Sequence, residues 1–175
     1  AVYNLFKRDK MKVLQIGLGQ FGKNHLRVWH ELQQEVYAAD LDTKQHAQCA
    51  TYNLPKERIT TNYKDFISKV DAVDVVTPTS SHFKLCFDAL NNGKDVFVEK
   101  PIAMTSAEAL ELAQLAEKNG RIIQVGHIFR FNPATDLIKN YIDNGTLGKI
   151  RYMDGHCKGF KRARTDVGVT HTDSI

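Results

Sequence analysis

The stretch Lys12-Val13-Leu14-Gln15-Ile16-Gly17-Leu18-Gly19-Gln20-Phe21-Gly22 decides how the rest of this 175-residue chain is read. Its first five residues form a short, mainly apolar run that breaks off at glycines rather than in a polar loop, the pattern of a buried strand. Gly17, Gly19 and Gly22 stand in GxGxxG spacing, and Phe21, Leu26, Trp29 and Leu32 follow mostly three or four apart, one face of a helix from Phe21 to about Gln33. A strand that passes through such glycines into a helix makes either a phosphate cradle or a turn that merely needs glycine, and the strand-to-helix context favours the cradle. Gly17 supplies the tight turn, Gly19 lets the backbone approach a pyrophosphate and Gly22 permits close helix packing. Gln20 and Phe21 complete the loop, and the phosphates sit on the positive helix N-terminus.

Working outward, Val36 to Ala39 reads as the next strand and ends at Asp40, 18 residues after Gly22. A carboxylate there can accept hydrogen bonds from the hydroxyls of an adenosine ribose, or it can serve only as a helix cap. It would repel a 2′-phosphate and no arginine stands beside it, which favours NAD over NADP. The alternation continues with a helix around Thr43 to Tyr52, a short piece at Arg58 to Thr60 and a helical turn at Tyr63 to Ser68. Strands follow at Ala72 to Val76, Asp95 to Val98 and Arg121 to Val125, with helices at His82 to Asn91 and after Thr105. Thr105 and Glu108 have capping-box spacing. Short apolar strands alternating with amphipathic helices predict an α/β fold, a Rossmann-type doubly wound parallel sheet.

After Val125 the pattern changes. Asn132-Pro133 reads as an N-cap with proline in the first helical position; Leu137, Ile138, Tyr141 and Ile142 share a face, and Ile150 to His156 reads as a strand. The expected organisation is a leader over 1–10, a dinucleotide-binding domain over 11–125 and the start of an α+β substrate and oligomerisation domain over 126–175.

Composition is that of an ordinary soluble globular protein, 42% hydrophobic and 25% charged, which excludes collagen-like and disordered classes. A net charge of +4 is too mild and dispersed to announce a nucleic-acid surface. Cys49, Cys86 and Cys157 fit neither a disulfide framework nor a zinc knuckle, no metal site is expected, and a reducing cytoplasm is the expected setting. No run approaches the roughly 18 apolar residues of a membrane helix, so no membrane partner is expected.

Taken in order, Gly17 to Gly22 with His25, Thr77-Pro78-Thr79-Ser80-Ser81-His82, Glu99-Lys100-Pro101 and Val125 to Pro133 resemble the Gfo/Idh/MocA oxidoreductases, over nearly all of Met11 to Ile175. The resemblance implies a two-domain NAD(P)-dependent dehydrogenase of sugars, cyclitols or nucleotide sugars, homo-oligomeric at full length, of which this chain would be a truncated version. It implies that Lys100 contacts the reacting hydroxyl, with Glu99 orienting it or facing the cofactor, and that the Lys100-Pro101 bond is cis. The chemistry agrees, because oxidising an alcohol releases a hydride and a proton. An ammonium beside the oxygen can stabilise the alkoxide, and its amine form can relay the proton. By the same resemblance Thr77, Pro78 and His82 lie along the cofactor, while His127, Arg130 and Asn132 lie near nicotinamide and substrate. Thr79 to Ser81 could equally be a helix cap, with His82 in the first turn.

The family's remaining catalytic pair is an Asp followed four residues later by a His. Asp173 is a candidate Asp, whereas counting from Gly168 places Thr172 at that position; either way the motif His would fall past Ile175, and His171 is the candidate substitute proton acceptor. Lys158 to Arg164 is the strongest basic run, a solvated loop, a clamp for the phosphate of a nucleotide-sugar substrate or an RNA contact with Phe160 stacking. Three rivals stand beside the dehydrogenase. A non-catalytic NAD(H)-binding sensor would bind without turnover, an NADP-dependent reductase would want an arginine after Asp40, and a nucleic-acid module would lose affinity steeply with salt.

Overall fold

A computed structural model of the chain describes residues 10–156. Strands β1 (Lys12–Ile16), β2 (Glu35–Ala39), β3 (Ile59–Thr60), β4 (Ala72–Val75), β5 (Asp95–Val98) and β6 (Ile123–Val125) form one sheet in the order β3-β2-β1-β4-β5-β6. Every neighbouring pair is parallel. Helices α1 (Gly22–Glu31), α2 (Ala47–Ala50), α3 (Lys64–Ile67), α4 (His82–Asn91) and α5 (Ser106–Lys118) lie in the crossovers. The strand order reverses between β1 and β4, so the sheet is doubly wound and of Rossmann type, and loops after those two strands diverge to leave a crevice.

Alternation along each strand sorts the side chains onto two faces. On one, Leu14, Ile16, Val73, Val75, Val96 and Val98 pack against Leu85, Ala89 and Leu90 of α4, Leu112 and Ala116 of α5, and Phe66 and Ile67 of α3. On the other, Val36 and Ala38 pack under Leu26 of α1, with Leu18 and Cys49. Each fully buried leucine or valine stabilises by about 1.5–3 kcal/mol, which makes this apolar packing the main source of stability. The second face also carries two polar residues in register across β1 and β4, Gln15 and Asp74, both buried.

Several expectations need correction. Phe21 and Leu32 are exposed rather than part of the α1 core face, because Phe21 precedes the first helical turn and Leu32 follows the last. The helix expected from Thr43 to Tyr52 is a 3₁₀ turn at Thr43–His46 followed by the single turn α2. Ile150 to His156 forms no strand: among the described residues nothing offers it a ladder of hydrogen bonds, and its side chains are exposed. By contrast, α5 opens with the full capping box, Thr105 accepting from the Glu108 N–H while the Glu108 carboxylate accepts from the Thr105 N–H.

A second compact unit begins at His127. It holds a 3₁₀ turn at Ile128–Phe131 and α6 (Pro133–Asp143), which Asn132 caps by accepting from the Ala134 N–H at 2.9 Å. Leu137, Ile138, Tyr141 and Ile142 of α6 are all exposed. Among the described residues no helix is long and apolar enough to cross a membrane.

Candidate functional site

The glycine loop is held by backbone geometry that other residues cannot reproduce. Gly17 has φ +98°, and a Cβ there would lie 2.4 Å from the Val76 carbonyl oxygen, so the loops after β1 and β4 touch through a position where only glycine fits. A Cβ on Gly22 would lie 2.2 Å from the Gly17 carbonyl oxygen, which is why the first turn of α1 can close onto the loop. From beneath, the buried Gln15 amide donates to the carbonyls of Gly17 at 2.9 Å and Gly22 at 2.8 Å. Gly19 differs: a Cβ there would meet nothing within 4 Å. The loop is therefore tight on its inner side and open on its outer side. Helix α1 starts with no side-chain capping bond and no acidic residue in its first turn, so no carboxylate of that turn offsets the positive end of its dipole.

Asp40 follows β2, and its carboxylate accepts from the Leu18 N–H at 2.7 Å and the Asp42 N–H at 2.9 Å. It thus ties its own loop to the glycine loop as well as presenting a negative charge beside it. After β4, Thr77 is half-buried and Pro78 exposed. Ser81, at the N-cap of α4, makes no capping bond; its hydroxyl donates back to the Pro78 carbonyl at 2.8 Å. His82 is 1% exposed, with Nδ1 at 2.8 Å from the Pro101 carbonyl oxygen and Nε2 at 2.8 Å from that of Thr77. The ring is thus wedged between the two loops from inside, its N–H donating to one of the two carbonyls according to tautomer.

Glu99 and Lys100 follow β5, and the Lys100-Pro101 bond is cis. Lys100 is exposed, whereas Glu99 accepts from the Lys100 N–H at 3.2 Å and faces His25 Nε2 at 3.3 Å. That histidine also meets Asp74, to which the Trp29 indole donates at 2.6 Å. Burial pulls the His25 pKa down, but hydrogen bonds and charge from Asp74 and Glu99 outweigh it and raise the value to about 9. The His25 hydrogen bond in turn holds the Glu99 carboxyl below its ordinary value.

Gly17 to Gly22, Asp40, Thr77 with Pro78, and Glu99 with Lys100 therefore converge at the carboxyl ends of β1, β2, β4 and β5, astride the point where the strand order reverses. An open outer side at Gly19, an uncapped helix N-terminus and a flanking carboxylate suit a dinucleotide: pyrophosphate on the first two, ribose on the third. His127, Arg130 and Asn132 lie in the second unit, exposed, with Asn132 occupied as a helix cap. Asp173, His171 and the run Lys158 to Arg164 lie outside the described residues. Sequence reading missed the connection of His25 through Asp74 to Trp29, and the brace of Gln15. The available signal was an Asp and a Gln inside apolar strands, each of which needs buried partners.

A family model described as an oxidoreductase family with an NAD-binding Rossmann fold matches residues 11–127. The scyllo-inositol 2-dehydrogenase (NAD(+)) of Bacillus subtilis is 42% identical over 93 residues, covering 53% of this chain and 26% of that protein. The UDP-N-acetylglucosamine 3-dehydrogenase of Acidithiobacillus ferrooxidans is 28% identical over 160 residues, covering 91% of this chain and 49% of that one. Among solved structures, a Lactobacillus casei scyllo-inositol dehydrogenase with bound NAD(H) and scyllo-inositol superimposes with a TM-score of 0.70 at 27% identity, covering 80% of this chain and 43% of the other. The chain thus spans no more than about half the length of these curated relatives.

Proposed function

We propose that this chain, which belongs to the oxidoreductase family with the NAD-binding Rossmann fold, carries the cofactor-binding domain of an NAD-dependent dehydrogenase acting on a ring hydroxyl of a cyclitol, sugar or nucleotide sugar. The observation that carries the reading is the convergence of the glycine loop, Asp40, Thr77 and the Glu99-Lys100 pair on one edge of the sheet. Relatives named as inositol and UDP-N-acetylglucosamine dehydrogenases support the substrate class.

In this reading Gly17 to Gly22, with the amides of Gln20 and Phe21, holds the pyrophosphate, and Asp40 takes the adenosine ribose hydroxyls and repels a 2′-phosphate. Thr77 and Pro78 line the cofactor's path. When bound, NAD+ supplies the acceptor for the substrate's hydride. Lys100 stands beside the reacting hydroxyl, stabilises the oxygen as its proton leaves and passes that proton toward solvent. His127 and Arg130 serve the substrate, Arg130 as a fork for a carboxylate or phosphate. The whole enzyme is read as a homo-oligomer, and as cytoplasmic, a reducing setting that suits the free, buried thiols at Cys49 and Cys86.

The test is a fluorescence titration of the single tryptophan, Trp29, with NADH and separately NADPH. NADH is expected to bind saturably and more tightly than NADPH. Asp40→Ala removes charge-assisted hydrogen bonds and should weaken NADH binding roughly tenfold or more. A folded chain that binds neither dinucleotide, or prefers NADPH, overturns the reading.

A further inference from the structure

Asp74 sits in the middle of β4 between Val73 and Val75 with none of its surface exposed. Taking a carboxylate out of water is costly unless donors replace its hydration. Trp29 donates its indole N–H to Oδ2 at 2.6 Å, and His25 Nδ1 lies 3.0 Å from Oδ2 and 3.2 Å from Oδ1. The other ring nitrogen of His25 faces a second carboxylate, Glu99 Oε1, at 3.3 Å. Only an imidazole protonated on both nitrogens donates to both acids. The Phe97 ring closes the remaining side, 5.8 Å from the His25 ring.

Glu99 is where this buried chain of contacts reaches the site. Its Oε2 accepts from the Lys100 N–H, and its carboxylate lies so close to Gly126 that a Cβ there would come within 3.0 Å of Oε1. On the far flank His82 Nδ1 lies 2.8 Å from the Pro101 carbonyl oxygen. The backbone on both sides of Lys100 is thereby tied to two helices, to α1 through His25 and to α4 through His82.

We propose that His25 is a positioning residue for Lys100: clamped between Asp74 and Glu99, it keeps the Glu99 carboxylate on the Lys100 amide and engages the charge that would otherwise draw the Lys100 ammonium away from the substrate oxygen. That Lys100 serves a substrate oxygen rests on the dehydrogenase reading; the clamp itself does not. The groups facing His25 are Asp74 from β4, Glu99 and Phe97 from β5 and its end, and Trp29 through Asp74, with Lys100 next to Glu99. With the ring held charged up to about pH 9, the clamp stays closed through neutral pH and opens only as that value is passed.

Trp29 is the single tryptophan and shares Asp74 with His25, so its emission reports the clamp directly. The experiment follows Trp29 emission and the Lys100 amide nitrogen resonance, detected through the neighbouring carbonyl carbon so that proton exchange at high pH does not erase it, in the whole chain from pH 6 to pH 10.5. Both are expected to move together with a midpoint near 9, and Glu99→Gln should shift the Trp29 midpoint down toward the ordinary histidine value of about 6.5. In His25→Gln both transitions should vanish, and the Lys100 amide should already be displaced at pH 7. A wild-type Trp29 midpoint near 6.5, or a Lys100 amide that does not follow it, overturns the proposal, and this arm needs no variant to fold. Neither readout involves cofactor or substrate. Absent NADH binding with both transitions intact therefore counts against the dehydrogenase reading, and intact NADH binding without the transitions counts against the clamp. In the active enzyme His25→Gln should lower kcat roughly tenfold and leave the KM for NAD+ within about twofold, whereas equal damage to both marks a merely structural residue and also overturns the proposal.

Discussion

A single methyl group separates the three glycines of the loop into two kinds. At Gly22 it would press to 2.2 Å on the Gly17 carbonyl oxygen, and at Gly17 to 2.4 Å on that of Val76, in both cases against backbone that cannot turn aside. At Gly19 it would enter open space. Gly22→Ala should therefore cost about 1–3 kcal/mol, read as a lowered urea midpoint. Gly19→Ala should change stability by less than about 0.5 kcal/mol yet weaken NADH binding, because its methyl would stand where the pyrophosphate approaches. Equal stability losses for the two variants would refute this division. The spacing of the glycines and the 18-residue step to Asp40 were legible because loop and carboxylate belong to one βαβ unit, whose geometry repeats locally. The second task of Asp40, accepting from the Leu18 N–H, was not, since a carboxylate at a strand end can equally serve a cap, a ribose or a neighbouring loop.

Where an element's boundary depends on its own residues, it could be read in advance. Helix α4 runs from His82 to Asn91 as the apolar spacing predicts, and α5 begins at the Thr105–Glu108 box. Thr105→Ala removes the acceptor for the Glu108 N–H and should cost about 1 kcal/mol, with NADH affinity unchanged because α5 lies away from the glycine loop in the chain and packs on the opposite face of the sheet. A thermal melt paired with the NADH titration checks both halves of that expectation. Ile150 to His156 shows the converse. Its composition suits a strand, but a strand exists only through hydrogen bonds to a neighbour, and among the described residues none pairs with it.

The buried apolar residues of the described chain all fall between Val13 and Ala116, and none lies in 127–156. Among the described residues the core of the first unit comes from that unit alone, and the unit also carries the glycine loop, Asp40 and Lys100. A fragment of residues 11–126 should unfold in one cooperative transition and bind NADH as the whole chain does. A molten fragment, or one without NADH affinity, would show that the core needs more of the chain. The amino-acid order alone determined the alternation of strand and helix, hence the parallel sheet, and it placed Gly17 to Gly22, Asp40 and Lys100 at strand ends, because hydrophobic period and turn chemistry are local properties. Only the folded chain decided that His25, Asp74 and Glu99 meet. His25 and Asp74 stand 49 positions apart and His25 and Glu99 stand 74, and no periodicity links them. Strand order 3-2-1-4-5-6 laid β4 beside β1 beneath α1, and burial then forced each charged group to find its partner there.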